Sequence, residues 1–356
     1  MIDFPASPTN GQVFTSGGSS WTYDGTKWVA AGNAIMPPLA TGDNRIINGD
    51  MRIDQRNNGA SGTAANVYTV DRWLYSASQA GKGNWQQKPS AAPGFPYYLG
   101  FGSLSAYAPV AGDNFNFIQP IEADMVSDFA WGTANAQPAT LSFWVYSSLS
   151  GTFGGAIRNA AGTRSYPFTY PLTASTWTKI VVAIPADTSG TWVMSGNAAA
   201  FWVCFDLGVG STYRGPSGVW ASANYLGANG AVSVVATNAA QFFITGVKLE
   251  TGSVATPYNR QSLAKSMADC QRYYCVMYAL SMLGYTPTVG SGFGYSTGFP
   301  TSMRAAPTIN LFNQSYSNMT GLTSANTTAD AVFLYANSTV IGTGQWTTAF
   351  TASAEL

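Results

Sequence analysis

Residues 140–148 read TLSFWVYSS. Side chains on a strand alternate between faces, so Leu141, Phe143 and Val145 share one face, opposite Trp144 and Tyr146. A second stretch, WTKIVVAIP at 177–185, repeats the pattern: Trp177, Lys179, Val181 and Ala183 alternate with Ile180, Val182 and Ile184. A period of two, written in aromatic and β-branched residues, specifies strand. Similar runs are expected at 67–76, 84–88, 97–104, 114–121, 152–158, 164–170, 200–207 and 241–249. Turn signals recur every ten or so residues, the pattern of a sandwich or jelly roll. So many strands between 45 and 258 make one large jelly-roll β-sandwich, and the fold class is mainly β.

Composition agrees. Charged residues are 9% of the 356-residue chain, against about 25% in an average soluble protein. Aromatics reach 14% and there are 38 glycines, a mixture that suits short strands and tight turns. The 16 basic and 16 acidic residues cancel and form no basic stripe, so nucleic acid is not expected as a partner. No apolar run is long enough to insert in a membrane. The first residues have neither the basic start nor the apolar core of a signal peptide, so synthesis and folding in a cytoplasm are expected. The three cysteines, Cys204, Cys270 and Cys275, are odd in number and widely spaced, which argues against a disulfide framework.

On either side of the sandwich lie smaller pieces. Residues 1–36 form an N-terminal hairpin module, with WTYDGTKW at 21–28. A two-residue turn at Asp24-Gly25 would place Trp21 opposite Trp28, and these rings are read as packing in preference to ligand stacking. PPLATGDN at 37–44 reads as a linker. Within 259–284, Leu263, Met267, Cys270, Tyr274, Met277 and Leu280 recur at spacings of three or four, which specifies an amphipathic helix of about five turns. Residues 285–356 return to strand and turn as a small C-terminal β domain with little apolar mass for a core of its own. Oligomerisation is a common remedy for such weak cores.

The chain contains no histidine. That removes the usual general base and every Ser-His-Asp or Cys-His constellation, so no enzyme is expected. Paired acids could still hydrolyse glycosides. Glu122 and Asp124 sit two apart, with Asp128 nearby, but an exposed acidic strand end is the plainer reading. Asn48 and Asp50 open the sandwich and Glu250 closes it. Together they could hold a structural calcium, or serve only as a turn and a salt link. No other cofactor is expected, and no phosphate loop is present. The loop GSTYRGPSGVWASANYLG at 210–227 gathers Tyr213, Arg214, Trp220 and Tyr225 among glycine, serine and proline. Rings beside hydrogen-bonding groups suit the faces and edges of sugars. The same rings could instead plug one end of the sandwich.

Several long phrases then resemble bacteriophage and prophage virion proteins of the tail-fibre or receptor-binding kind, with a jelly roll like that of carbohydrate-binding modules. They are NRIINGDMRIDQRNNGA, YTVDRW, FAWGTANAQPATLSFWVYSSLSGTFGGAIRN, FFITGVKLETGSVATPYNRQS and DCQRYY. FPASPTNGQVFTSGGSSWTYDGTKW resembles a short module near the start of phage tail fibres, and FPTSMRAAPTI resembles the segment after the helix in such proteins. The resemblance implies a structural virion protein, assembled in the host cytoplasm. It implies a homotrimer joined to other virion proteins through its N-terminal segment and bound to a host-surface polysaccharide. It identifies no ligand and carries over no site residue. A decoration or spacer protein without a ligand stays open as an alternative, and a capsule depolymerase using Glu122 and Asp124 as a further one.

Overall fold

The computed structural model describes residues 4–16, 19–23, 25–30, 43–89 and 92–356. The chain divides into two compact units, 1–43 and 44–356. Residues 37–42 of the expected linker, and Asp24 of the expected turn, lie outside the described residues.

In the first unit, β1 (Val13–Ser16), β2 (Ser19–Tyr23) and β3 (Trp28–Ala30) form one antiparallel sheet in that order. Tyr23 pairs with Trp28 and Trp21 with Ala30, so the expected pairing of Trp21 with Trp28 is corrected. The connection between Tyr23 and Trp28 is two residues longer than a two-residue turn, which slides β3 by two positions. A slide of two keeps each residue on its face. The rings therefore still meet: Phe4 stacks on Trp28 at 5.3 Å and stands edge-on to Trp21 at 5.3 Å, with Phe14 6.0 Å from Trp21. Such contacts add about 0.5–1.5 kcal/mol each beyond area burial, and they hold this small sheet together.

The second unit begins with β4 (Val67–Tyr68), β5 (Leu74–Ala77), β6 (Gly83–Pro89), β7 (Tyr97–Ser103) and β8 (Phe115–Glu122). It continues with β9 (Ala139–Ser147), β10 (Gly151–Asn159), β11 (Ser165–Leu172), β12 (Thr178–Ile184) and β13 (Ala199–Asp206). After the short β14 (Arg214–Gly215) and β15 (Gly227–Ala228) comes β16 (Gln241–Thr251). Two antiparallel sheets face each other, ordered β11-β10-β13-β8-β5-β4 and β12-β9-β16-β7-β6. Between the hairpins β4-β5, β6-β7 and β10-β11 the chain crosses repeatedly from one sheet to the other, giving a jelly-roll sandwich. Leu141, Phe143, Val145, Phe153, Phe205, Phe242 and Ile244 meet between the sheets and are essentially inaccessible to solvent. The run at 67–76 is two strands and not one: the Thr69 N–H donates to the Trp73 carbonyl at 2.7 Å, and Arg72 turns the chain with φ 72°.

The expected five-turn helix is corrected. Helix α1 spans only Leu263–Gln271, capped by Ser262, whose side chain accepts from the Lys265 N–H. Residues Tyr274–Thr286 form strand β17. A bulge falls between Met277 and Leu280, where Ala279 has φ 59°. The extra residue puts two inward-facing side chains three apart instead of two, and this imitates helical spacing.

Beyond β17 come β18 (Gly292–Gly298), β19 (Thr308–Ser317), β20 (Met319–Ala325), β21 (Ala331–Ser338) and β22 (Gly342–Ser353). They form two three-stranded sheets, β17-β22-β19 and β18-β21-β20. The expectation that this part lacks apolar mass is also corrected. Trp346, Phe350, Leu334, Val332, Cys275 and Met303 bury together as a separate core. Two buried ionic clusters tie these sheets to the sandwich. Glu355 accepts from Arg72 and, at 2.8 Å, from Arg56. Glu122 accepts from Arg272 and from the Tyr273 hydroxyl.

Candidate functional site

The inward positions of the five-stranded sheet belong to the core, and its outward positions carry an unusual load of rings. On β9 these positions are Ser142, Trp144 and Tyr146. The register places Lys179 of β12 and Thr245 of β16 beside Trp144, and Phe243 of β16 beside Tyr146. Gly100 of β7 lies opposite Phe243, with Tyr98 two residues earlier on the same face. A compact cluster of four rings results, Tyr98, Phe243, Tyr146 and Trp177, closed by a contact of 5.7 Å between Trp177 and Tyr98. Adjacent centroids are 4.6, 4.9 and 5.7 Å apart, and Tyr146 and Phe243 stack within 8° of parallel. All four are half-buried. Burial, then the neighbouring Tyr146 phenol, holds the Tyr98 hydroxyl above its ordinary pKa.

Trp144 differs from its neighbours. It is half-buried on the same face, yet among the described residues its indole has no ring partner and its N–H no hydrogen-bond acceptor. It lines a pocket of about 400 Å³ with Phe95, Ser142, Lys179, Gly246, Pro257, Tyr258 and Arg260. One wall comes from the segment following β16, which crosses the sheet. That crossing is pinned from below. The Thr256 N–H and hydroxyl donate to Glu250 at 2.9 and 2.7 Å, and Lys248 Nζ donates to the Pro257 carbonyl at 3.0 Å. Lys248 and Glu250 pair at 3.2 Å, each about 1% exposed. Phe95 and Tyr258 meet edge to face at 5.1 Å, and the Arg260 guanidinium lies 5.5 Å from the Phe95 ring. Burial, then nearby Asp50, pushes the Tyr258 phenol pKa up. Gly246 sits in a bulge of β16 with φ 62°, and a Cβ there would strike the Phe95 ring at 2.6 Å. Only glycine serves both the backbone and the ring.

The residues singled out from sequence lie elsewhere. Trp220 packs against Trp131, Tyr166 and Trp192, at 5.3, 5.1 and 5.6 Å, and its N–H donates to the Pro185 carbonyl at 2.9 Å. Arg214 pairs with buried Asp206 at 3.2 Å. Tyr225 lies over Gly215, and Tyr213 packs beside Trp202 on the cluster containing Cys204 and Leu226. Most of the ring surface of this loop therefore faces protein. The Asn48 side chain holds the backbone of Ile53 and Asp71. Asp50 pairs with Arg52 at 2.6 Å and with Arg260 at 3.4 Å, while Glu250 holds Lys248 and Thr256. Among the described residues no group of three or more His, Cys, Asp or Glu could hold a metal.

The expected exposed acidic strand end is corrected for Glu122, which is 1% exposed and engaged with Arg272 and Tyr273. The strand stops there and a 3-10 helix, Ala123–Phe129, begins. The alternation that would align Glu122 with Asp124 is lost, and Asp124 is exposed.

The outward ring cluster and its pocket were not singled out from sequence. A signal exists, since Trp144 and Tyr146 occupy the solvent-side positions of a strand whose other face is fully apolar. A sheet with one wet face ordinarily carries polar residues there.

No protein-family model and no curated protein matches the sequence. Solved structures that share part of the fold include a putative sugar binding protein from Bacteroides thetaiotaomicron, at 12% identity over 59% of this chain and 100% of that one, TM-score 0.36. The enzymatically active domain of tailspike protein 4 of bacteriophage CBA120 is 13% identical over 59% of this chain and 21% of that one, TM-score 0.32. The N-terminal cellulose-binding domain of Cellulomonas fimi β-1,4-glucanase C is 11% identical over 55% and 97%, TM-score 0.29.

Proposed function

We propose that this chain binds a polysaccharide through the outer face of its five-stranded sheet, without turnover, as part of a phage particle. The observation that carries the binding reading is Trp144. It is an outward, half-buried indole whose N–H has no acceptor among the described residues, and it lines a pocket beside a cluster of four rings. The flat apolar face of a pyranose matches such a ring, and its hydroxyls match the adjoining Ser142, Tyr258 and backbone groups. The ring cluster enlarges the apolar surface beside the pocket.

The particle role rests on the phrases at 44–60, 129–159 and 242–274 described above. In this reading the N-terminal unit attaches the chain to other virion proteins and the sandwich faces the host surface. A homotrimer is supported by β17, a long edge strand without a charged residue, which leaves Tyr278, Leu283 and Tyr285 about two-thirds exposed. Exposed apolar edge strands are ordinarily covered or charged. Light scattering on the purified protein gives the mass of three chains if this is right.

The test of binding is a glycan array and host-cell pull-down with Trp144→Ala beside Trp220→Ala. Loss of binding in the first but not the second supports the outer face. Equal binding by Trp144→Ala and the parent removes this site. A decoration role without any ligand then becomes the better reading.

A further inference from the structure

Three cations that are not fully buried, Lys179, Lys88 and Arg260, lie on the face that carries the ring cluster. Lys179 adjoins Trp144 from β12. On the opposite edge, Lys88 of β6 pairs in register with Tyr98. Arg260 stands on the pocket wall, 41% exposed. Lys88 and Lys179 form no ion pair or hydrogen bond with any described residue. Of the two carboxylates beneath this face, Asp50 is shared between Arg260 and Arg52, and neither pairs with Lys88 or Lys179. Asp50 and Glu250 are 2% and 1% exposed, and each already has its own cationic partner in Arg52 and Lys248. The chain as a whole is neutral and only 9% charged, so Lys179 and Arg260 beside one half-buried indole, with Lys88 three strands away on the same face, are a local concentration.

We infer that the ligand of this face is an anionic polysaccharide whose carboxylates pair with Lys179, Arg260 and Lys88 while a sugar ring stacks on Trp144. This rests on the saccharide reading of the face and specifies its substrate class. The geometry assigns distinct parts. Lys179 is next to Trp144, so a carboxylate on the stacked ring meets its ammonium. Arg260 is held by the Gly94 carbonyl and by Asp50 at 3.4 Å, and its remaining guanidinium donors border the pocket. Lys88, beside Tyr98, lies further across the sheet and meets a later residue of the same polymer. A neutral glycan would leave Lys88 and Lys179 without an ionic partner, whereas a repeating acid can meet both and add to the Asp50 contact of Arg260. Attraction between exposed charges is screened by salt, which gives a signature that ring stacking lacks.

The experiment compares uronate polymers (polygalacturonate, alginate and hyaluronate) with their carboxyl-reduced neutral forms, by calorimetry and affinity electrophoresis. It uses the full chain, its Lys179→Gln and Lys88→Gln variants, and Trp144→Ala. Neither lysine side chain makes an ion pair or hydrogen bond with a described residue, so both glutamine variants, which keep the aliphatic stem, are expected to keep the parent melting temperature to within about 1 °C. An acidic polymer is expected to bind, more weakly by about tenfold in Lys179→Gln, and to lose affinity as NaCl rises from about 50 to about 500 mM. Reduced and acidic polymers binding equally, both lost in Trp144→Ala, would overturn the anionic assignment and leave the saccharide reading standing. Acidic polymers binding equally to the parent and Trp144→Ala would overturn both. Binding to no polymer of either kind counts against both as well.

Discussion

Glu355→Gln tests how the C-terminal sheets are joined to the sandwich. Arg72 is 1% exposed and Glu355 8%. Burial works against the Arg72 charge, but Glu355 offsets it, and the guanidinium ends above its ordinary pKa. Removing one partner of a buried pair costs about 3–5 kcal/mol, because the other charge stays buried and alone. Arg72 is not wholly abandoned. It still donates to the Pro120 carbonyl at 2.7 Å and lies 3.6 Å from the centre of the Tyr273 ring. The lower end, about 3 kcal/mol, is therefore expected. At about 2 °C per kcal/mol for a unit of this size, the melting temperature falls by about 6 °C. Urea unfolding followed by tryptophan fluorescence gives the same quantity from the midpoint. Replacing both partners, as Arg72→Met with Glu355→Leu, removes the stranded charge and recovers most of the loss. A single variant that costs less than about 1 kcal/mol, or a double variant no better than the single, refutes the reasoning.

Asp71 supplies a pH signature. Burial raises its carboxyl pKa to about 6, against the pull of Arg56 and Gln55. The folded state therefore keeps a proton that the unfolded state has lost. This group's contribution to stability falls as pH rises from about 4 to about 6, and Asp71→Asn flattens that part of a melting-temperature profile. Burial likewise raises the Cys204 and Cys275 thiols, to about 12 and 11, and Cys270 well above its ordinary value. All three are buried, so a thiol reagent at pH 8 modifies none in the native protein and all three in denaturant. Gly246→Ala and Gly81→Ala both place alanine at positive φ, which costs about 1 kcal/mol. Only Gly246 has a ring in the way, so calorimetry shows the larger loss there, and saccharide affinity falls with it.

Where alternation is uninterrupted, the sequence is legible almost residue by residue. The runs at 97–104, 140–147 and 241–249 are observed as Tyr97–Ser103, Ala139–Ser147 and Gln241–Thr251, because one buried face leaves no freedom of register. The errors cluster where extra residues shift a ladder. The longer connection after Tyr23 slid the N-terminal hairpin by two. The bulge at Tyr278-Ala279 turned inward strand positions into an apparent helical stripe. Bulges depend on a partner strand, here β22, which lies some seventy residues away, so no local window contains the information. The ionic joints were hidden for the same reason. Asp71-Arg72 and Glu355, or Glu122 and Arg272, become neighbours only after the sheets assemble.

The loop residues expected to bind and the outer-face pocket differ in how their rings are used. Exposed-looking rings in a Gly-Ser-Pro loop suggested a binding surface at Tyr213, Arg214, Trp220 and Tyr225. A loop of that length must close one end of a sandwich whose inner faces are fully apolar, and the rings nearest to hand are used for it. Trp131, Tyr166, Trp192 and Trp220 show the result. A strand faces the opposite constraint. Its inward face already supplies the core through Leu141, Phe143 and Val145, so a ring placed outward has no structural duty unless neighbouring strands also present rings. Tyr98, Tyr146, Trp177 and Phe243 satisfy one another in that way. Trp144 is left out of their stack. It lies beside Lys179, whose charge is equally without a described partner, over a bulge shaped by Gly246. Among the described residues this ring has no ring partner and this cation no ionic one, and the proposed saccharide would supply both.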